Sequence, residues 1–204
     1  MEQVRRSWSI TTAPASDPVS LDEVKDYLRI SHSADDEQIQ EILIPAATTA
    51  VQSASRRQLC RATVTMKLDA FPCNNGEIRV PLPPLVSVTS ITYIDGSGDT
   101  QTVDSADYIV DTSSEPGRIV PAYGDSWPST QTRINAVTVV FTAGYELAED
   151  VPPGLRVAIK QIVGALYENR ELAPTGGDSS VAIPASVMLA INYLIEPEKV
   201  TEFY

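Results

Sequence analysis

INAVTVVFTAGYELAEDVPPGLRVAIKQIVGAL, residues 134–166, is the stretch in which the chain changes from strand to helix. Its first part alternates apolar and polar residues, which is typical of a half-buried β-strand. After Pro152 and Pro153, which suit a first helical turn, one helical face is formed by Leu155, Ile159, Ile162 and Leu166. The sequence therefore predicts a β segment that ends near residue 150 and a helix that follows it.

Upstream of this stretch, residues 61–150 keep the period-two pattern and are interrupted by Pro, Gly, Asp and Ser. The segment DGSGD, residues 95–99, is predicted to be a hairpin turn. Short strands at this spacing indicate an antiparallel sheet or a small sandwich. The predicted strands are residues 62–68, 77–82, 86–94, 100–104, 107–111, 117–121 and 134–145.

The first 60 residues are predicted to be helical. Ser20 and Glu23 form a capping-box pattern, and this helix is expected to end near Ile30. A second helix is expected from Ser33 or Asp35, with an apolar stripe that runs from residue 39 to residue 54. Pro45 interrupts this stripe, so we expect a lost hydrogen bond to the Glu41 carbonyl and a kink.

These patterns predict an α+β protein, in which an antiparallel β segment is inserted into a helical body. The N-terminal and C-terminal helices of that body are expected to pack together. Four parts are predicted: a helical part at 1–60, the β domain at 61–150, a helix at 151–173, and a linker with a C-terminal arm at 174–204. The linker is APTGGDSS, and Pro184 opens the last helix.

Composition excludes several classes of protein. The chain has 15 Lys and Arg against 27 Asp and Glu, so its net charge of −12 is unsuited to gripping duplex DNA. No apolar run is long enough to span a membrane, and MEQVRRSWSITT lacks a signal-peptide pattern. We therefore expect a protein made and kept in a cytoplasm. Cys60 and Cys73 are expected to be free thiols.

Motifs for catalysis or metal binding are missing from the sequence. The single histidine, His32, lies in a polar turn without a nucleophile motif. The EF-hand pattern fails from Asp95, because Thr100 and Ala106 stand where Gly and Glu are needed. Walker and G-x-G-x-x-G loops are absent. We predict no catalytic residue, no metal and no cofactor.

The ordered pieces of the chain resemble the head–tail connector, or adaptor, proteins of tailed bacteriophages and related gene-transfer particles. The pieces that carry this resemblance follow one another along nearly the whole chain. They are PVSLDEVKDYLRI, DDEQIQEILIPAATTAVQSASRR, IRVPLPPLVSVTSITYID, DYIVDTSSEPGRIVPAYGDSWP, VTVVFTAGY, VPPGLRVAIKQIVGALYENRE and IPASVMLAINYLI. One departure is the end of the chain, EPEKVTEFY, which is acidic where the family often has a short basic stretch.

The resemblance implies a structural subunit of the virion neck without a catalytic site, which assembles in the bacterial cytoplasm. The expected assembly is a homo-oligomeric ring, of twelve copies in many relatives, below the portal protein. This ring would extend the DNA channel and present a platform to the next neck or tail protein, the stopper. Duplex DNA would pass through without specific binding, because twelve copies carry 12 × −12 = −144 charges and an acidic wall repels phosphate.

Three sets of contact residues are predicted on this basis. The first, from the small-residue stripe and the helix after residue 151, is for neighbouring subunits: Ala46, Ala50, Ala54, Lys160 and Glu168. The second, in the C-terminal arm, is for the portal: Ile183, Val187, Ile191, Tyr193, Leu194, Phe203 and Tyr204. The third, in two loops, is for the tail-side partner: Asp95, Asp99, Trp127 and Pro128.

Three alternatives remain open from the sequence. The alanine stripe is equally suited to packing inside its own subunit, since helix stripes normally face the core. The chain is also compatible with another neck or tail component, such as a stopper or tail terminator. A hydrolase is the third alternative, and it requires Asp104, Asp107 and Asp111 to converge in a pocket with raised pKa values.

Overall fold

A computed structural model describes residues 5–168 and 185–201 of the chain. The chain divides into two compact units. The β unit consists of residues 1–15, 61–145 and 200–204, and the helical unit consists of residues 16–60 and 146–199. Helices and antiparallel sheets both occur, so the predicted α+β class is confirmed.

Two antiparallel sheets make up the described part of the β unit. The five-stranded sheet has the order β1-β2-β8-β4-β5, and the three-stranded sheet has the order β3-β7-β6. The strands are β1 (Arg6–Thr12), β2 (Ala62–Leu68), β3 (Ile78–Arg79), β4 (Leu85–Ile94), β5 (Thr100–Thr102), β6 (Tyr108–Asp111), β7 (Arg118–Pro121) and β8 (Val137–Ala143).

The core of the β unit lies on one face of β2 and β8. In β8, Val137, Val139 and Phe141 are fully buried and alternate with half-buried residues, as period-two patterning requires. β2 pairs with β8, which brings the buried Val64 opposite Phe141 and the buried Met66 opposite Val139. Side chains of both sheets join these residues in one apolar cluster.

β1 is a correction to the sequence analysis, which assigned residues 1–60 to helices. Residues Arg6–Thr12 form an edge strand that pairs with β2. The alternation in this strand rests on only two apolar residues, Trp8 and Ile10, and most of its side chains are exposed. Its conformation depends on pairing with a strand more than 50 residues away, which local patterns do not report.

The first helix, α1 (Leu21–Leu28), begins with the predicted capping box. The Ser20 hydroxyl oxygen accepts a hydrogen bond from the Glu23 backbone N–H (3.2 Å), and the Ser20 N–H donates to the Glu23 carboxylate (3.0 Å). α1 ends at Arg29, which adopts a left-handed conformation with φ of 57°. The predicted start and end are therefore confirmed to within two residues.

The second helical stretch contains a π-helical turn next to Pro45. It runs through α2 (Asp36–Gln38), a π turn (Ile39–Leu43) and α3 (Ile44–Ser55). The Ile44 N–H donates to the Ile39 carbonyl, five residues back. A proline removes one backbone donor, and a widened turn is a common way to accommodate that loss within a helix.

α4 (Pro153–Glu168) is the centre of the helical unit, and α1, α3 and α5 (Ala185–Ile195) pack against it. Leu155, Ile159 and Ile162 of the predicted face are buried, and Leu166 is half-buried. The prediction that the N-terminal helices pack against the helix after residue 151 is confirmed. Four 3₁₀ turns complete the described structure: Cys73–Asn75, Ser105–Asp107, Ala148–Asp150 and Glu196–Glu198.

Gly117 and Gly96 provide a matched test of packing in the β unit. A Cβ atom at position 117 would lie 2.6 Å from Leu85 Cδ2 and 2.7 Å from Leu85 Cβ, whereas a Cβ atom at position 96 would meet no atom within 4 Å. We expect Gly117→Ala to lower the free energy of unfolding by about 1–3 kcal/mol because it overpacks the core. Gly96→Ala is the control and should leave it nearly unchanged. Urea denaturation measures both, and equal stabilities of the two variants would contradict the packing described here.

Candidate functional site

The alanine stripe of α3 lies on the outside of the helical unit. Ala46, Ala50 and Ala54 are exposed, while Ala47 and Val51 on the adjoining side of the helix are buried. A spacing of four residues aligns the three exposed alanines along one line of the helix. Their exposure argues against the alternative in which the stripe packs inside its own subunit, and it leaves a smooth surface that another helix can approach closely.

Lys160 and Glu168, which were predicted to accompany this stripe, have different surroundings. The Lys160 ammonium lies 3.6 Å from the Glu23 carboxylate, and its side chain is only 17% exposed. Arg156 also pairs with Glu23. Lys160 is thus engaged within the helical unit, where it joins α4 to α1, whereas Glu168 is exposed at the end of α4.

The Glu23 carboxylate is the shared acceptor of this cluster. Burial raises the pKa of Glu23, but the Ser20 backbone N–H and the positive charges of Lys160 and Arg156 lower it more, so the net pKa lies below the ordinary glutamate value. The ionised form of Glu23 is therefore favoured by Lys160 and Arg156 of α4. The cluster is a structural link between two helices that are far apart in the sequence.

The predicted C-terminal arm is largely part of the helical unit. Ile183, Phe203 and Tyr204 lie outside the described residues. Of the others, Ile191 is 4% exposed, Val187 and Leu194 are half-buried, and Tyr193 is 81% exposed. A Cβ atom at Gly154 in α4 would lie 3.0 Å from the Leu194 carbonyl oxygen, which shows how closely α5 is packed.

The segment after α5 is also anchored. The buried Arg57 donates from Nε to the Glu198 carbonyl, and its guanidinium lies 3.9 Å from the Glu198 carboxylate. The solvent-facing side of α5 carries Leu189, which is 72% exposed, and Met188, which is 43% exposed, beside Tyr193. Leu189 and Tyr193 are four residues apart and form an apolar ridge on one side of the helix.

Asp95 organises the turn at residues 95–99. Its carboxylate accepts hydrogen bonds from the Ser97 and Asp99 backbone N–H groups and from the Gln101 side chain (2.8 Å). These bonds, the Gln101 one first, hold the pKa of Asp95 below its ordinary value. The hairpin turn predicted between β4 and β5 is confirmed, and Asp95 serves as its internal acceptor.

The loop at Trp127 and Pro128 lies at the same end of the five-stranded sheet as this turn. The Gln131 N–H, which follows the loop, donates to the Ile94 carbonyl, which precedes the turn (2.9 Å). The structure therefore brings together the two loops that were predicted, separately, as tail-side contacts.

Trp127 is fixed in position by its neighbours. Its indole stacks on Phe71 with ring centroids 4.9 Å apart, and its Nε1 donates to the Gly76 carbonyl (2.9 Å). Its backbone N–H donates to the Asn75 side chain. An open cleft of about 400 Å³ lies beside it, lined by Ala70, Phe71, Pro72, Asn74, Asn75, Trp127, Pro128, Ser129 and Thr130.

The three aspartates proposed for a hydrolase have structural roles or are solvated. Asp104 caps a 3₁₀ turn by accepting from the Ala106 N–H, and Asp107 is exposed. The Asp111 carboxylate accepts from Ser113 and Arg118, and these bonds lower its pKa far below the ordinary value. A hydrolytic acid needs a raised pKa, so the arrangement does not meet the requirement of that alternative.

The remaining reactive groups also have ordinary surroundings. Both cysteines are free, as predicted. Burial and the nearby Asp17 raise the pKa of the Cys60 thiol to about 11, whereas Cys73 is exposed. Within the described ranges, no three His, Cys, Asp or Glu side chains are grouped to hold a metal. No helix in those ranges is long and apolar enough to cross a membrane.

A family model described as "Phage gp6-like head-tail connector protein" matches residues 18–113. The predicted resemblance to head–tail connectors is confirmed. No curated protein matches this chain.

Chains in solved structures resemble this chain over nearly its full length. A chain of "Virion of native gene transfer agent (GTA) particle" is 23% identical with a TM-score of 0.73, and the alignment covers 97% of each chain. A chain of "Neck of empty GTA particle computed with C6 symmetry" is 22% identical with a TM-score of 0.70 and the same coverage. A chain of "Neck of native GTA particle computed with C12 symmetry" is 22% identical with a TM-score of 0.67 and the same coverage. At these identities the likeness shows a common fold.

Two features of the structure were missed in the sequence. The sequence did not show that Leu189 and Tyr193 are exposed while other apolar residues of α5 are buried. The reason is that α5 is apolar on nearly all sides, so its periodicity does not indicate which face is buried. The spacing of four between these residues was the available signal. The ion cluster at Glu23 was missed because its partners are more than 130 residues away.

The Glu23 cluster predicts a specific pH dependence. Because the folded-state pKa of Glu23 is lowered, its ionised form stabilises the fold above the ordinary glutamate pKa, and this contribution is lost as the pH falls through the folded-state pKa. We expect Glu23→Gln to lower the free energy of unfolding at pH 7 by roughly 0.5–1 kcal/mol, since the pair is partly exposed. The difference from the unmodified chain should disappear at acidic pH.

Thermal unfolding at a series of pH values measures this effect. Glu37→Gln, at an exposed position of α2, is the control and should follow the unmodified chain at every pH. A difference between Glu23→Gln and the unmodified chain that stays constant down to acidic pH would contradict the assigned role of the carboxylate.

Proposed function

We propose that this connector is a subunit of the neck of a phage or phage-like particle, where twelve copies form a closed ring below the portal. The observation that carries the proposal is the family match over residues 18–113. The common fold with chains of neck structures, at 97% coverage of both chains, supports it. The chain assembles in the host cytoplasm and is then part of the virion.

The ring extends the DNA channel and acts by shape, without a reaction or a cofactor. Each copy has a net charge of −12, so a ring of twelve repels phosphate and lets duplex DNA pass without specific binding. The helical unit carries most of this charge, with 16 Asp and Glu against 8 Lys and Arg, or 8 − 16 = −8. We propose that acidic side chains of this unit face the lumen.

Neighbouring subunits need two different complementary faces, because a cyclic ring is built from heterologous contacts. The exposed stripe of Ala46, Ala50 and Ala54 is one such face, with Glu168 at the end of α4 as a further contact. Small side chains permit a close helix–helix distance. Lys160 contributes to the subunit contact only indirectly, because its ammonium group pairs with Glu23 and so joins α4 to α1.

The portal-side contact is proposed for residues 184–204. Tyr193 and Leu189 are the exposed apolar groups of α5, while Ile191 and Ile195 are buried and hold the helix in place. Large exposed aromatic and aliphatic side chains are typical anchors in a partner's groove. The tail-side contact is proposed for the end of the five-stranded sheet at which Asp95, Asp99, Trp127 and Pro128 lie.

Native mass spectrometry with separate partners tests the proposed role. The connector mixed with purified portal protein should give a complex with twelve connector copies. Mixed with tail-tube protein alone, it should remain unbound. Stable binding to tail-tube protein with no binding to portal would contradict the connector role and favour a tail terminator.

The portal contact is tested by substitution of the α5 ridge. We expect Leu189→Ala with Tyr193→Ala to weaken portal binding at least about tenfold, because exposed apolar anchors carry much of the affinity of an interface. Tyr123→Ala is the matched control, since Tyr123 is fully exposed in the β unit and should not affect binding. Deletion of residues 184–204 is unsuitable, because it also removes Ile191 and Ile195 from the core.

Surface plasmon resonance measures the portal affinities, and circular dichroism checks the fold of each variant. Equal affinity of the double variant and the Tyr123 control would contradict a portal contact through α5.

A further inference from the structure

β1 is an open edge of the five-stranded sheet. One side of this seven-residue strand pairs with β2, and no strand among the described residues pairs with the other side. Native edge strands are usually protected by proline, by lysine or by inward-pointing charges. β1, with the sequence RSWSITT, contains neither proline nor lysine. Its outer side is therefore not protected by the devices that usually prevent strand addition.

The apolar side chains of β1 extend the sheet's core face beyond the part that is covered. Trp8 is paired with Met66 and Ile10 with Val64, and both partners are fully buried. Directly paired residues project from the same face of a sheet. Trp8 and Ile10 nevertheless remain 48% and 46% exposed. The open edge thus coincides with an uncovered continuation of the core.

A second open edge, in the same unit, has complementary properties. β6 lies at the edge of the three-stranded sheet, and its central Ile109 is 54% exposed. Asp107 directly precedes β6, Asp111 is its last residue, and Asp104 lies three residues before Asp107. β1 instead begins at Arg6 and follows the exposed Arg5. One edge is basic, the other is acidic, and both carry apolar side chains at their centres.

The other two edge strands lack these properties. β5 has three residues, all of them polar, and the only apolar residue of the two-residue β3, Ile78, is buried. Among the described strands, β1 and β6 are therefore the pair whose edges, apolar centres and charges match.

We infer that β1 of one copy pairs with β6 of the next copy, so that strand addition joins the subunits of the ring. This inference rests on the proposed ring function. The two edges differ, so the contact is heterologous and repeats from subunit to subunit, as a closed ring requires. Backbone hydrogen bonds give the affinity, and the side chains at alternate positions give the register. Trp8, Ile10 and Ile109 become buried in the contact.

The pairing also gives a role to the aspartates for which no chemistry was found. Asp107 is exposed and faces no described cation, and Arg5 of the adjoining copy supplies the opposite charge. Asp111 is already paired with Arg118, so it is not assigned a contact with the adjoining copy. Opposite charges at adjacent strands stabilise a register, and like charges oppose it.

Hydrogen–deuterium exchange on the full-length chain tests the pairing directly. In rings formed by the unmodified chain, backbone amides of β1 and β6 should exchange more slowly than in the dissociated subunit. Equal exchange of these two strands in both forms would overturn the inference. Failure of the unmodified chain to form rings with portal would instead contradict the proposed function.

Substitutions provide an independent measurement of the same contact. Trp8→Ser and Ile109→Ser should each weaken ring assembly at least about tenfold, because each removes an apolar side chain from the contact. Ile134→Ser is the matched control: Ile134 is 76% exposed in a loop and should have no effect.

Exchange of the charges at positions 5 and 107 tests whether these two residues face each other across the contact. Recovery of assembly in the double variant would also exclude misfolding as the cause of the losses. Arg5→Glu and Asp107→Lys should each weaken assembly, and the two together should restore it. The control double variant combines Asp107→Lys with Arg133→Glu instead of Arg5→Glu. Arg133 is exposed in a loop, so this variant should not restore the assembly that Asp107→Lys weakens. Analytical ultracentrifugation reports the assembly in each case. Loss of assembly in both single variants without rescue in the double variant would overturn the pairing of these two edges.

Discussion

The pairing of β2 with β8 is the constraint on which the rest of the structure depends. The two strands run antiparallel in continuous register from the Ala62–Ala143 pair to the Leu68–Val137 pair. Beyond the first pair, the Arg61 N–H donates to the Tyr145 carbonyl. The points at which the chain begins and ends its β segment are therefore side by side. This strand pair closes the β segment, residues 61–145, which is inserted between two parts of the helical unit. The first part of the helical unit ends at residue 60, and the second begins at residue 146.

The helical unit is held by contacts between parts of the chain that this insertion separates. Apolar packing of α1 and α3 against α4 supplies the core, and the ionised Glu23 joins the capping residue of α1 to Arg156 and Lys160 of α4. Arg57 similarly anchors the segment after α5 through Glu198. These contacts explain why α5, which was expected to belong to a C-terminal arm, is a component of the unit, with Leu189 and Tyr193 among its exposed side chains.

Features governed by neighbouring residues were predictable from the sequence. The capping box at Ser20, the hairpin turn at Asp95, the alternating burial of β8 and the start of α4 after the proline pair all follow from local patterns. Features that depend on distant partners were not predictable. The strand character of β1 requires β2, the engagement of Lys160 requires Glu23, and the buried side of α5 is decided by α4 rather than by its own apolar composition. For the same reason the alanine stripe of α3 was ambiguous until its exposure was seen.

In the proposed role, the chain functions through its surfaces and their repetition around a ring. Its aspartates cap turns, accept hydrogen bonds or remain solvated, burial raises the pKa of its Cys60 thiol, and its exposed groups are apolar ridges, open strand edges and acidic charge. The central claim is that the chain forms a ring between the portal and the rest of the neck. Cryo-electron microscopy of the native particle's vertex, without imposed symmetry, tests it most directly. The account predicts density for twelve copies of this fold directly below the portal. A vertex from which this chain is absent, or in which it occurs as isolated copies that do not contact each other, would contradict it.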